Sequence, residues 1–264
     1  MLIISDTIRI TRKAVAEALL RKDPEPVAEM ALAAQRAGAD VIDINTGPLA
    51  RDPNGMAFLV RAVEKAVPLR VSLDTVNHEA LQAGLAASRN GRPIINGVSL
   101  EPEKLRLIAP LALRHDADLV AYLLTPKSQV PPDAEGRLAI SSEIFTKLTG
   151  MGIAPERIMF DPICPPLVWQ DGLSQAREVL STIRLLPEVL GFHARTLVGL
   201  SNLTTGPGPR PKKILLQKTY LAMLAAQGLS AVLLDTDLAE VVETAKAASL
   251  IRSGEIFCWE SLEG

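Results

Sequence analysis

The sequence predicts an α/β fold: a single-domain (β/α)8 barrel of the TIM type over residues 1–264. Three observations carry that expectation. Eight short apolar, β-branched runs recur along the chain, separated by stretches of helical period. Their spacing of roughly 25–40 residues is that of repeated strand–helix units. No G-x-G-x-x-G turn follows any run, although an open doubly wound sheet would be expected to carry one. A length of 264 residues with 48% hydrophobic side chains also suits one large core.

The elements follow in order. The first strand is expected over Leu2–Ser5. Asp23-Pro24 then reads as an N-cap with proline at the first helical position, opening a helix that stops at Gly38. Strands two and three are expected over Val41–Asn45 and Leu69–Asp74. Asn77 precedes a helix with Ala80, Leu81, Gly84, Leu85 and Ala87 on one face. Further strands are expected over Pro93–Gly97, Asp118–Leu123, Arg157–Asp161, Thr196–Leu200 and Ala231–Asp235. The last helix carries Leu238, Val241, Val242, Ala245, Ala248 and Ile251 on one stripe and ends at Gly254. Pro-rich pieces at Gln129–Pro132 and Pro207–Pro211 are short enough to be loops.

Composition removes several function classes. A formal net charge of −2 with 3% aromatics offers neither a cationic groove nor a stacking platform for nucleic acid. The longest nearly uncharged apolar stretch, Thr219–Leu234, is too short and too interrupted to span a bilayer. The N-terminus lacks the basic and apolar regions of a secretory signal, so a cytoplasmic protein is expected. Cys164 and Cys258 form no disulfide framework or zinc cluster. Cys164 lies just after the sixth strand and reads as packing rather than as a nucleophile.

The strand ends are polar where the strand bodies are apolar. Strand two ends in Asp43-Ile44-Asn45, strand three in Asp74-Thr75, strand four in Asn96, strand six in Asp161 and strand seven in Ser201-Asn202, while strand eight leads to Asp235 and Asp237. Any one of these could be the N-cap of the next helix, and Asp161-Pro162 suits a turn. Five strands ending in carboxylates or carboxamides exceed what capping needs, and in a barrel they converge on one mouth. His78, His115 and His193 fall in or beside helices, so no transition-metal cluster is expected. What suits such a mouth is a planar, amide-rich heterocycle: a carboxylate accepts two parallel N–H bonds, and an asparagine matches a ring's donor and acceptor together.

At these residues the chain resembles the pterin-binding methyltransferases, most closely the methyltetrahydrofolate:corrinoid protein methyltransferases. The matching segments are Asp43-Ile-Asn45-Thr-Gly47-Pro48, Ser72-Leu-Asp74-Thr-Val-Asn77, Ile95-Asn96, Asp161-Pro162 and Val198-Gly-Leu-Ser-Asn202, followed by Arg210-Pro211 and Tyr220-Leu-Ala-Met223. The resemblance implies that Asp74, Asn96 and Asp161 hold the pterin ring, with Asp161 on the 2-amino and N3 edge. It implies that Asn202 bonds at N5, that Gly199 and Ser201 shape the same wall, that Asp43 and Asn45 support the floor, and that Arg210 meets the carbonyl side or the tail. Methyltetrahydrofolate or tetrahydrofolate would be the substrate, a corrinoid (cobalamin) would arrive on a separate partner protein, and a homodimer is implied. The first strand departs from the family pattern: Asp6, Thr7, Ile8 and Arg9 stand where a Glu-Arg-Ile-Asn-like motif is usual, and Thr205 stands where some relatives have glutamine. Two alternatives stay open, a dihydropteroate synthase and a non-catalytic pterin-binding subunit of a corrinoid complex. The synthase lysine at the end of strand seven has no counterpart in Gly199-Leu200-Ser201-Asn202.

Overall fold

The computed structural model describes residues 1–47, 52, 54–254, 256, 258 and 259. Pro48, part of one of the matching segments, lies outside them. Eight parallel strands close in sequence order into one barrel: β1 (Leu2–Arg9), β2 (Val41–Asn45), β3 (Arg70–Asp74), β4 (Ile94–Val98), β5 (Asp118–Tyr122), β6 (Ile158–Asp161), β7 (Arg195–Gly199) and β8 (Ala231–Leu234). Between and after them run α1 (Lys13–Arg21), α2 (Glu25–Ala37), α3 (Asn54–Ala66), α4 (His78–Ala87) and α5 (Pro102–Arg114). The second half adds α6 (Ala134–Gly150), α7 (Gly172–Leu190), α8 (Arg210–Ala226) and α9 (Ala239–Ser253). The predicted architecture is the observed one.

Start and stop signals act locally, with small shifts. The Asp23 carboxylate accepts the Glu25 N–H, but α2 begins one residue later than expected, with Pro24 rather than Asp23 in the cap position. Gly38 closes α2 in the left-handed region, at φ 103°. The Asn77 side chain accepts the Ala80 N–H at 3.1 Å and caps α4. On α9 the inner stripe is Val241, Val242 and Ala245, whereas Ile251 is exposed. The expected stripe therefore covers only the first two turns.

One strand differs substantially. β1 runs on to Arg9 rather than stopping at Ser5, and its pairing with β2 shifts between Ser5 and Ile8. The polar pair Asp6-Thr7 interrupts the apolar run that sequence reading depends on. The strand continues because pairing with β2 resumes at Ile8–Ile44 and Arg9–Asn45, with Ile8 fully buried and Thr7 nearly so.

Strand period explains where the polar groups go. Side chains two apart share a face, and a ring of Ile4, Val41, Ile94, Val120, Met159, Leu197 and Ala231 fills the barrel interior. The inward positions one step further along lead to Asp43, Ser72, Asn96, Tyr122, Asp161 and Gly199. Apolar clusters on the other strand faces pack against the helices. β4 passes close to β5 at Gly97, where a Cβ would lie 2.5 Å from the Val120 carbonyl oxygen. The pairing of these two strands also shifts between Asn96 and Val98.

The opposite end of the barrel is closed by charge. The Asp118 carboxylate, 4% exposed, meets Arg70 at 2.8 Å, Arg195 at 3.2 Å and Arg92 at 3.7 Å. Removing it takes the shared carboxylate from three partly exposed guanidiniums, which keep the Arg92 and Glu156 carbonyls and Asp116 as partners. Asp118→Ala is expected to cost about 2 kcal/mol, read as a lower Tm, with ligand binding at the far mouth unchanged in the folded fraction.

Candidate functional site

The C-terminal mouth holds a cavity of about 590 Å3, a size suited to a small organic ligand. It brings together Asp43, Asn45, Asp74, Asn96, Asp161, Gly199, Ser201 and Asn202. Asp6, Arg9, Tyr122, Lys213, Gln217 and Asp235 also line it. Arg210 is not among its walls. It is the first residue of α8 and lines a separate surface depression with Ile214 and Lys218, one and two turns along. The cation that α8 presents to the cavity is Lys213, which donates to the Gly206 carbonyl.

The cavity has two electrostatic halves. On the β1/β8 side the carboxylates are paired: Arg9 reaches Asp6 at 3.4 Å and Asp235 at 3.7 Å, and Arg12 bridges Asp235 at 3.0 Å and Asp237 at 2.7 Å. Asp237 is thus held on the surface by Arg12 rather than facing the cavity. Ser201 donates to Asp6 at 2.6 Å, tying the β7 end to the altered first strand. Burial pushes the Asp6 carboxyl up despite that bond and Arg9.

On the β2–β6 side Asp43, Asp74 and Asp161 have no ion pair among the described residues. Burial dominates there. It raises Asp161 to about 7, against a smaller opposing bond from the Ile163 N–H. It raises Asp74 to about 6, the bond from Asn45 working the other way. Asp43, fully enclosed and near Asp74, is pushed well above the usual carboxylate range, although Ser72 donates to it at 2.6 Å and Asn96 at 3.2 Å. Buried carboxylates without cations disfavour their own ionisation, so this half is poised for a ligand that brings N–H donors or positive charge.

The bonds within the cluster leave a defined pattern for that ligand. Asp161 spends Oδ1 on the Ile163 N–H in an Asx turn, so the turn and the site are one feature. Its Oδ2 has no protein partner among the described residues. The Oδ2 atom of Asp74 accepts from Asn45, whose own oxygen accepts the Gly47 N–H. Acceptors therefore face the cavity from β3 and β6, with the Asn96 amide between them.

The opposite wall is a short 3-10 turn, Leu200–Thr204, following β7. Asn202 lies here, exposed to the cavity, and its carboxamide has no partner among the described residues. Gly199 makes room for it: a Cβ there would lie 3.3 Å from Asn202 Nδ2. Cys164 is buried in the apolar cluster with Leu200 and Leu203, and burial pushes its thiol up. That is the chemistry of a packing residue.

Sequence reading missed Tyr122, Lys213 and Gln217. Tyr122 could have been found by counting inward positions from Val120. Lys213 and Gln217 depend on where α8 starts, which Pro209 and Pro211 mark.

Comparison with known proteins gives three findings. The family model described as pterin binding enzyme matches residues 10–235. The methylcorrinoid:tetrahydrofolate methyltransferase of Eubacterium limosum is 22% identical over 265 residues, covering 98% of this chain and 93% of that protein. The structure of Yersinia pestis dihydropteroate synthase with a pterine-sulfa conjugate superposes with a TM-score of 0.68 at 18% identity, over 96% of this chain and 94% of that one. A second Y. pestis dihydropteroate synthase structure gives 0.66 at 18% identity, over 96% and 93%. These structural likenesses establish the shared barrel fold.

Proposed function

The chain belongs to the pterin-binding enzymes, and from that premise we propose that it transfers a methyl group between N5 of tetrahydrofolate and the cobalt of a corrinoid carried by a separate protein. The observation that carries this reading is the unpaired carboxylate half of the cavity facing an unengaged carboxamide, Asn202. The near full-length likeness to a methylcorrinoid:tetrahydrofolate methyltransferase supports it.

The chemistry follows from the reacting bond. Methyl transfer from N5 is displacement at carbon, and the departing tertiary amine is a poor leaving group. The C–N5 electron pair stays on nitrogen, where a strong hydrogen bond stabilises it as the bond breaks and a proton taken up from solvent completes tetrahydrofolate. Asn202 can donate to N5 without any shifted pKa. Asp161 holds the 2-amino and N3 edge in two parallel bonds, and Asp74 and Asn96 hold the rest of the pyrimidine ring, so the methyl group is presented toward the open mouth. The corrinoid supplies a cobalt centre that accepts or delivers the methyl group. In the reverse direction N5 attacks the methyl group with its lone pair and releases its proton to solvent, while the same residues keep the ring in place.

The test is absorbance of a cob(I)alamin or Co(I) corrinoid protein mixed with this chain and methyltetrahydrofolate. Conversion to methyl-Co(III) is the expected result. Dihydropteroate formation from p-aminobenzoate and the hydroxymethylpterin diphosphate would overturn it. Tight folate binding with no methyl exchange in either direction would instead mark a non-catalytic subunit.

A further inference from the structure

We infer that Tyr122 is a positioning residue that fixes the Asn96 carboxamide as a hydrogen-bond donor toward the bound ring. This deepens the proposed function and rests on its assignment of the pterin to this cavity. Tyr122 ends β5 and lines the cavity, and its hydroxyl donates to Asn96 Oδ1 at 2.9 Å. Asn96 Nδ2 donates in turn to Asp43 Oδ1 at 3.2 Å, and Ser72 donates to the same oxygen at 2.6 Å. The amide of Asn96 is therefore anchored at both ends.

The anchoring has a direction. An amide offers two N–H donors and one oxygen with two lone pairs. Asp43 takes one donor, and the Tyr122 hydroxyl takes one lone pair, so the second N–H is the donor left for a ligand. A ring acceptor such as a pyrimidine nitrogen matches it. Turned by half a rotation, the same amide would put its oxygen against the Asp43 oxygen and its NH2 group against the tyrosine. The Asp43 oxygen, already an acceptor for Ser72, disfavours the turned state, and the Tyr122 hydroxyl holds Asn96 Oδ1 in the observed one.

The tyrosine itself is held. Its ring end lies 3.1 Å from where a Cβ on Gly97 would stand, and the ring packs against the apolar interior ring of the barrel. Glycine at 97 lets the ring sit there, and the hydroxyl then reaches Asn96 Oδ1. Phenylalanine keeps that packing and removes only the oxygen, leaving Asn96 Oδ1 buried without its donor.

A double-mutant cycle tests the assignment. Tetrahydrofolate binding is measured by calorimetry for the wild type, Tyr122→Phe, Asn96→Ala and the double variant, with thermal melts confirming that each is folded. Tyr122→Phe is expected to weaken binding about tenfold in the wild-type background and less than twofold in the Asn96→Ala background. Equal losses in both backgrounds, or no loss in the first, would overturn the positioning role while leaving the function intact. If the wild type binds no tetrahydrofolate, the proposed function fails instead. The Asn96 side-chain amide signals of free 15N-asparagine-labelled protein then decide the inference. A shifted or broadened pair in Tyr122→Phe supports it, and an unchanged pair overturns it.

Discussion

Replacing Asn202 with alanine is expected to slow methyl transfer about 100-fold while changing methyltetrahydrofolate affinity less than about threefold. The side chain is unengaged among the described residues and exposed to the cavity, so its loss opens no core void and breaks no internal bond. In the ground state, a methylated N5 is a weak acceptor, and the amide gains little from it. As the C–N5 bond breaks, the electron pair localises on nitrogen and the bond from the amide strengthens. An interaction that grows only toward the transition state appears in the rate and not in binding. Single-turnover absorbance of the corrinoid, with calorimetry of the folate, separates the two quantities. Gly199→Ala should act in the same direction and more weakly, because its methyl group would crowd the amide at 3.3 Å without removing it. Parallel losses of rate and affinity in Asn202→Ala would make Asn202 an ordinary binding residue.

Much of this site was legible in the sequence because a barrel converts strand order into spatial convergence. Asp43, Asn45, Asp74, Asn96 and Asp161 end strands whose bodies are apolar, and the period of two carries them to one mouth. What was hidden had physical reasons. Tyr122 presents an aromatic body within an apolar run, so its hydroxyl gives no polar break to mark the strand end. Asp6 and Thr7 had the opposite effect: they looked like the end of β1, when a register shift lets the strand continue through them. The pairing of Ser201 with Asp6 joins residues 195 apart and has no local signature. Arg210 shows the limit of segment matching. It follows β7 at a suitable distance, but Pro209 sets the start of α8 so that Lys213 and Gln217 face the cavity and Arg210 does not.

Asp161→Asn should abolish tight pterin binding and, at the same time, stabilise the empty protein at alkaline pH. The carboxyl is 7% exposed and has no cation partner among the described residues, and burial lifts it from 3.8 to about 7. The sign follows from the raised value. The folded state holds the proton more tightly than the unfolded chain, so this group's contribution to stability is full below about pH 4 and is lost as pH rises through about 7. Asparagine keeps the acceptor for the Ile163 N–H and cannot ionise. The variant should therefore be more stable than the wild type at pH 8, on the order of 2 kcal/mol or a Tm higher by about 5 °C, and nearly equal to it at about pH 4. Ligand affinity runs the other way. Two parallel N–H donors need the carboxylate, so wild-type affinity should rise about tenfold from pH 6 to pH 8, with Asp74 steepening the lower end. In Asp161→Asn the profile should lose that rise. Melting curves and calorimetric titrations at three pH values check both halves. A variant less stable than wild type at pH 8 would mean that the empty site already neutralises this charge. A wild-type affinity that falls as pH rises would mean that the ring is held by the protonated acid.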